Sequence, residues 1–382
     1  MLHDPQLTIK AIHVVNAVRH LIEPDNLRST VRAAFPEIDE AQIDEAIRIA
    51  PGTQVPDDVD LSAPDEVIGE IPEIPTNAMY GKLGEIAVLT NTPSGFAYPA
   101  AIAAASGIGI AQKGYIRPTT YVALIGPVGS GKSVTRERMH GAFRTNTHFD
   151  DQAHSHIISR IPASDQGFFK AFKDANGSSR LLSIDEFRYM LSKTSIEHNS
   201  TLSNVMNTLW SADEAGSVTK TTDGSVNVKL SILGGLTIKH ASEFADVFSF
   251  DTAHGLYDRF IFGHAGSGWQ FKPSDLKPVD LNVVTPLELP HGLIERTNAW
   301  RNAKPDSRAR LGEIAMRVAY IASAVNDDST ITNESIDAAF AFVEWQEQIR
   351  SVYRPAQGKN EWDECMSTVL DAFEKAPGRA LN

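Results

Sequence analysis

The sequence predicts an α/β fold, a parallel sheet with helices between its strands, and three observations carry that reading. Short apolar, β-rich runs recur: "TYVALIG" (Thr120 to Gly126), "RLLSIDEF" (Arg180 to Phe187) and "LSILGGLT" (Leu230 to Thr237). Such runs suit strands buried on both faces. Segments of helical character alternate with them, and that alternation implies parallel pairing. The first run also ends on a glycine-rich turn with a helix directly behind it, a strand–turn–helix order found where backbone N–H groups receive an anion.

In chain order, residues 1–50 read as short amphipathic helices, with Ile43, Ala46, Ile47 and Ala50 on one face of "DEAQIDEAIRIA". Residues 51–75 hold five prolines and many acids and read as a linker or strap. A core follows over 76–270. It opens with two helices, "GKLGEIAVLTNT" and "AYPAAIAAASGIGI"; alanine, glycine and Pro99 make the second a buried helix rather than a membrane span. After "TYVALIG", "KSVTRERMHGAFR" reads as a helix, as does "SDQGFFKAFKDA" with Ser164 as its cap. "RLLSIDEF" is the second strand and "NSTLSNVMNTLWSA" a further helix. "SVTKTTDGSVNVKL" reads as a hairpin turning at Asp223-Gly224, leading into "LSILGGLT". "GHAGSGW" (Gly263 to Trp269) reads as a loop. Proline-spaced residues precede a helical lid within 271–350, containing "RLGEIAMRVAYIASAV" and "NESIDAAFAFVEWQEQIRSVY". Residues 351–382 read as a last helix, similar to the start of a truncated winged helix.

Composition narrows the setting. A charged share of 22% and a hydrophobic share of 42% are ordinary for a globular chain. The single cysteine, Cys365, fits a reducing compartment, and the first residues lack a basic leader and long apolar core, so a cytoplasmic protein is expected. The net charge of −13 would discourage a nucleic-acid partner, but twelve acids and one base lie between Glu37 and Glu73. The rest of the chain is close to neutral, which leaves room for a local basic surface.

The turn itself is "GPVGSGKS", Gly126-Pro127-Val128-Gly129-Ser130-Gly131-Lys132-Ser133, followed by Val134. It matches the phosphate-loop pattern of glycine, four residues, then Gly-Lys-Ser. Glycines let amide groups turn inward around phosphate oxygens, the lysine reaches the β- and γ-phosphates of ATP, and the serine hydroxyl holds Mg²⁺. Hydrolysis also needs a second metal-holding acid and a base for the attacking water. "LLSIDEF" offers Asp185 for the metal and Glu186 for the water, the acid pair of additional-strand ATPases. Thr237, ending the third run, is the candidate γ-phosphate sensor, with Lys239 and His240 behind it.

"HGLYDRFIF" then brings a resemblance. Gly-Leu-Tyr-Asp-Arg-Phe resembles the arginine-finger motif of minichromosome-maintenance helicases and other AAA+ proteins. The resemblance implies that Arg259 reaches the γ-phosphate on a neighbouring subunit; pairing with Asp258 or Asp251 is the alternative. "YGKLGEIAVLTNT", "LIGPVGSGKS", "LLSIDEF", "LSILGGLT" and "GLYDRF" in this order look like an uncharacterised family of phage, prophage and plasmid P-loop ATPases of primase-helicase type, over roughly residues 75–350. That likeness implies an AAA+-like core and a homo-oligomeric ring, a hexamer being one form. Arg310 and Arg317, seven residues apart in the lid, are candidates for a second sensing arginine, or else a solvated helix face.

For DNA, the hairpin is the candidate contact, with Lys220 and Lys229 flanking its turn to meet phosphates; a plain hairpin with wet lysines is the other reading. His148, His154 and His156 lack completing ligands and read as a solvated loop. The expected function is an ATP-hydrolysing DNA helicase or translocase of a mobile element. The alternative is an AAA+ switch or remodeller acting on protein.

Overall fold

Alternate residues of the strand before the glycine turn face opposite ways, and each side meets a helix. The structure, a computed structural model, describes Arg28, Arg32 and residues 39–49, 71–145, 156–194, 200–238, 243–244, 247–248, 255–303 and 309–353, apart from 111, 115, 160, 163, 219–222, 267 and 282–286. The chain divides into two units, Met1–Asp65 with Gly358–Asn382, and Glu66–Gln357. Of the first, the described element is helix α1 (Glu40–Ile49), which buries Gln42 and Ile43 and pairs Glu40 and Asp44 with Arg28.

The second unit holds everything else. In order it runs α2 (Gly81–Leu89), α3 (Ser94–Gly107), β1 (Tyr121–Gly126), α4 (Lys132–His140), β2 (Phe143–Thr145), β3 (Ile157–Ile158), α5 (Asp165–Ala171), β4 (Ser179–Ile184), α6 (Phe187–Thr194), α7 (Ser200–Ser211), β5 (Glu214–Val218), β6 (Asp223–Asn227), β7 (Lys229–Thr237), β8 (Phe260–His264), β9 (Val279–Leu281), α8 (His291–Ala303), α9 (Ala309–Val325) and α10 (Asn333–Val352).

The main sheet has five strands in the order β3-β4-β7-β1-β8, all parallel. The α/β class and parallel pairing read from the sequence are therefore present. β7 lies between β1 and β4, although β4 comes first in the chain. On one face Gly263 of β8 lies against Leu124 of β1 and against α3, so the wholly buried α3 can sit close on the sheet. On the other, Tyr121 packs edge-on against Trp210 of α7 at 5.1 Å and donates a 2.7 Å hydrogen bond to the Met206 carbonyl.

The open edge of β8 is closed by side chains. Gln346 of α10 accepts from the Phe262 amide at 2.7 Å and donates to the Phe262 carbonyl at 2.8 Å, while Arg350 donates to the Phe260 carbonyl at 2.6 Å. An exposed parallel edge invites pairing with another strand; here one amide side chain takes both backbone groups.

Two expectations need correction. The hairpin pairs Val218 with Asp223 and Ser217 with Gly224, so Asp223-Gly224 lies inside β6 and the turn falls at 219–222. Gly224 is there because a Cβ would come 2.7 Å from Phe169: the dipeptide serves packing, which a turn signal mimics. Lys229 begins β7 in the main sheet and does not flank the turn. Of the helices within 271–350, α9 and α10 pack on α2, α3 and β8, within one unit. Lys220, Lys239, His240, His148, His154, residues 51–70 and residues 354–382 lie outside the described residues.

Candidate functional site

The glycine turn leaves β1 at the carboxyl end of the sheet. Gly129 and Gly131 have φ of 79° and 95°, a left-handed backbone that residues with a Cβ resist. Gly131 caps α4, so the amides of the turn and the first turn of α4 converge where an anion would be stabilised. Pro127, Val128 and Ser130 make up the rest of the loop; Val128 is 78% exposed at its apex, while Ser130 is buried and donates to the Pro127 carbonyl at 2.9 Å. Val134 follows in α4.

Lys132 is buried and folds back over the loop, donating to the carbonyls of Gly126 and Pro127 at 2.6 Å each. Burial lowers its pKa below the ordinary lysine value, while Glu186 and Asp185 pull it back upward. The ammonium is thus held on two neutral oxygens, with two carboxylates close enough to act on its charge.

Those carboxylates follow β4 and are exposed. Ser133 donates a 2.8 Å hydrogen bond to Asp185 Oδ1, joining the start of α4 to the end of β4 across the intervening β7. Thr237 lies opposite Gly126 in the β1–β7 register, half-buried beside the start of the loop. The structure therefore brings Lys132, Ser133, Asp185, Glu186 and Thr237 to one end of the sheet.

Two features here had no signal in the motif. Gly234 and Gly235 make room for the turn after β4: a Cβ on Gly235 would lie 2.5 Å from the Asp185 carbonyl oxygen, and one on Gly234 2.5 Å from Phe187. Arg136, one turn beyond Ser133 on α4 and 11% exposed, places its Nε 3.6 Å from Asp185 Oδ1. It balances the carboxylate in this state.

Arg259 sits elsewhere. It ends a short 3-10 turn before β8, at the amino end of the sheet, and donates to the Gly255 carbonyl at 2.5 Å. Tyr121, which opens β1, pairs with Phe260, so the length of β1 separates Arg259 from the loop of its own chain. Six residues at the rise of a strand span roughly 20 Å. Asp258, the alternative partner, faces Arg350 at 3.5 Å, with Arg259 and Arg310 also near enough to lower its pKa against the larger, upward effect of burial. Asp251 lies outside the described residues.

Arg310 and Arg317 share that remote end. Arg310 pairs with Glu313 at 2.7 Å. Arg317 is 3% exposed and donates to the Thr119 and Trp210 carbonyls at 2.7 and 2.9 Å and to Glu313 at 2.6 Å, its guanidinium 3.8 Å from the Trp210 ring. Within its own chain it is a buried anchor between α9 and the residues before β1, not a sensor beside the loop and not a solvated face. His156, half-buried, lies 3.3 Å from the Ser179 carbonyl.

The donor set fits a hard, oxygen-loving cation that keeps most of its shell for water and phosphate: a hydroxyl and a carboxylate already 2.8 Å apart. Among the described residues there is no cluster of three His, Cys, Asp or Glu that would form an all-protein metal cage, and no helix long and apolar enough to cross a membrane. No protein-family model matches the chain, and a search of curated proteins finds no match.

Proposed function

We propose that this chain is a Mg²⁺-dependent P-loop ATPase of the additional-strand, AAA+-like type, acting as a homo-oligomeric motor on DNA in a mobile-element replication system. The observation that carries the ATPase reading is the Ser133–Asp185 hydrogen bond: the loop and the acid-bearing strand are joined although β7 separates β4 from β1.

Ser133 and Asp185 would hold Mg²⁺, which would supply positive charge against that of the phosphates. The amides of Gly129 to Ser133 cradle the phosphates. Lys132, held on carbonyl oxygens, swings to the stronger charge-assisted partner that a phosphate offers. Glu186, exposed at the same end, orients the attacking water and takes its proton. Thr237 stands next to the loop, where a hydroxyl can hydrogen-bond to the leaving phosphate. Arg259 lies about one strand length from all of these, so its contribution comes from another copy of the chain. The hairpin β5–β6, placed before β7, together with Lys220 in the sequence between its two strands, is the proposed DNA contact, supported by the resemblance.

The test is ATP turnover with and without single-stranded DNA, on protein whose oligomeric state has been measured. The proposal expects Mg²⁺-dependent turnover that DNA stimulates, with strand displacement on a forked substrate. Equal turnover with and without DNA would favour a remodeller acting on protein; absence of Mg²⁺-dependent turnover would remove the ATPase reading.

A further inference from the structure

The segment after β8 runs back over the glycine loop, and sequence reading treated it as an ordinary loop. Trp269 lies against Gly131: a Cβ built there would be 3.0 Å from the indole Cδ2 and 3.4 Å from Pro93 Cδ. The indole is held in place, its Nε1 donating to the Asn91 carbonyl at 3.3 Å. The strap around it is tied to the turn between α2 and α3. Asn91 donates to the Pro273 carbonyl at 2.7 Å, the Asp275 amide to the Leu89 carbonyl at 2.9 Å, and Arg138 of α4 to the Lys272 carbonyl at 2.5 Å.

Phe271, two residues on, is 70% exposed and meets Trp269 edge-on at 6.1 Å. Arg138 lies 5.2 Å from the Phe271 ring centre. This aromatic pair touches the last glycine of the loop, and Phe271 stays largely open to solvent although Arg138 lies over its ring, so a ligand in the loop would have the pair as its neighbour. A nucleotide whose phosphates occupy the loop carries its base outward from that glycine.

Resting on the ATPase reading, we propose that Trp269, with Phe271 at its rim, is the stacking platform for the nucleobase. Stacking reads the π-face and not the hydrogen-bonding edge, so the platform accepts adenine and guanine alike. It also explains why the strap is fastened at both the α2–α3 turn and α4: a pre-positioned ring loses little entropy on binding.

The experiment measures binding of ATP, GTP and inorganic tripolyphosphate, each with Mg²⁺, by calorimetry on the full chain, its Trp269→Ala and Trp269→Phe variants. The proposal expects Trp269→Ala to weaken ATP and GTP roughly 10- to 100-fold, to leave tripolyphosphate unchanged, and Trp269→Phe to recover most of the loss. Unchanged ATP affinity in Trp269→Ala overturns the platform. So does an equal loss of ATP and tripolyphosphate, which would make the indole a prop for the loop. Wild-type protein that binds neither ATP nor tripolyphosphate overturns the ATPase reading itself, a result distinct from both.

Discussion

At the carboxyl end of the main sheet, Asp185 and Glu186 are exposed and Lys132 rests on backbone carbonyls; at the amino end, Arg317 and Arg350 are buried and bonded to carbonyl oxygens and carboxylates. The first end gathers two exposed carboxylates and a buried lysine around the glycine loop. The second is a set of arginines largely spent on packing, with Arg259 beside them on a short turn. Both ends are assembled from the same strands, so the sheet keeps Arg259 about one strand length away from the glycine loop of its own chain. What the difference teaches is that strand direction, not order in the sequence, decides which motif residues share an end of the sheet.

The sharpest way to break the comparison is Arg259→Ala. As a finger acting on another copy it should lower ATP turnover about 10³- to 10⁵-fold while leaving ATP binding to its own loop intact, measured by steady-state hydrolysis and calorimetry side by side. Loss of binding together with turnover would place Arg259 on its own nucleotide, against the geometry.

Arg317→Met is next, and should act on stability. It removes a guanidinium from the Thr119 and Trp210 carbonyls and leaves Glu313 with Arg310 and the Trp210 indole N–H. Breaking a buried pair from one side costs about 3–5 kcal/mol, so the urea midpoint should fall steeply while nucleotide affinity of the folded protein is kept. A stable variant unable to hydrolyse ATP would return Arg317 to the candidate sensors.

His264, at the end of β8, gives a pH test. Burial lowers its pKa from the ordinary 6.5 to about 4. Between these values the unfolded chain binds the proton and the folded chain does not, so this contribution to stability is whole above about pH 6.5 and is lost as pH falls toward 4, by about 3 kcal/mol. His264→Gln should flatten that part of the stability profile; an unchanged slope would assign it to other groups. The smallest effect belongs to Gln346→Ala. It unpairs the amide and carbonyl of Phe262, about 1–3 kcal/mol by chemical denaturation, with turnover per folded molecule unchanged.

The loop end was the more legible in the sequence. Gly126 to Ser133, Asp185-Glu186 and Thr237 are short motifs at strand ends, and strand ends place residues together whatever the connections between them. The strands β1, β4 and β7 were equally plain, because burial on both faces leaves a mostly apolar run. What escaped depends on contacts far apart in sequence. Arg317 looked exposed by its helical spacing, and only its neighbours Thr119 and Trp210 make it an anchor. Asp223-Gly224 looked like a turn, and Phe169 turns it into a packing position. Trp269 sat in a glycine-rich stretch with nothing local to tie it to Gly131.

The central claim is that the two ends of the sheet complete one site only across two copies. The direct measurement is ATP hydrolysis by a mixture of Lys132→Ala and Arg259→Ala chains, each inactive alone, at concentrations where copies associate. The account predicts that turnover appears in the mixture, because an intact loop on one chain meets an intact arginine on the other. A mixture as inactive as its components, under conditions where wild-type protein is associated and active, would contradict it.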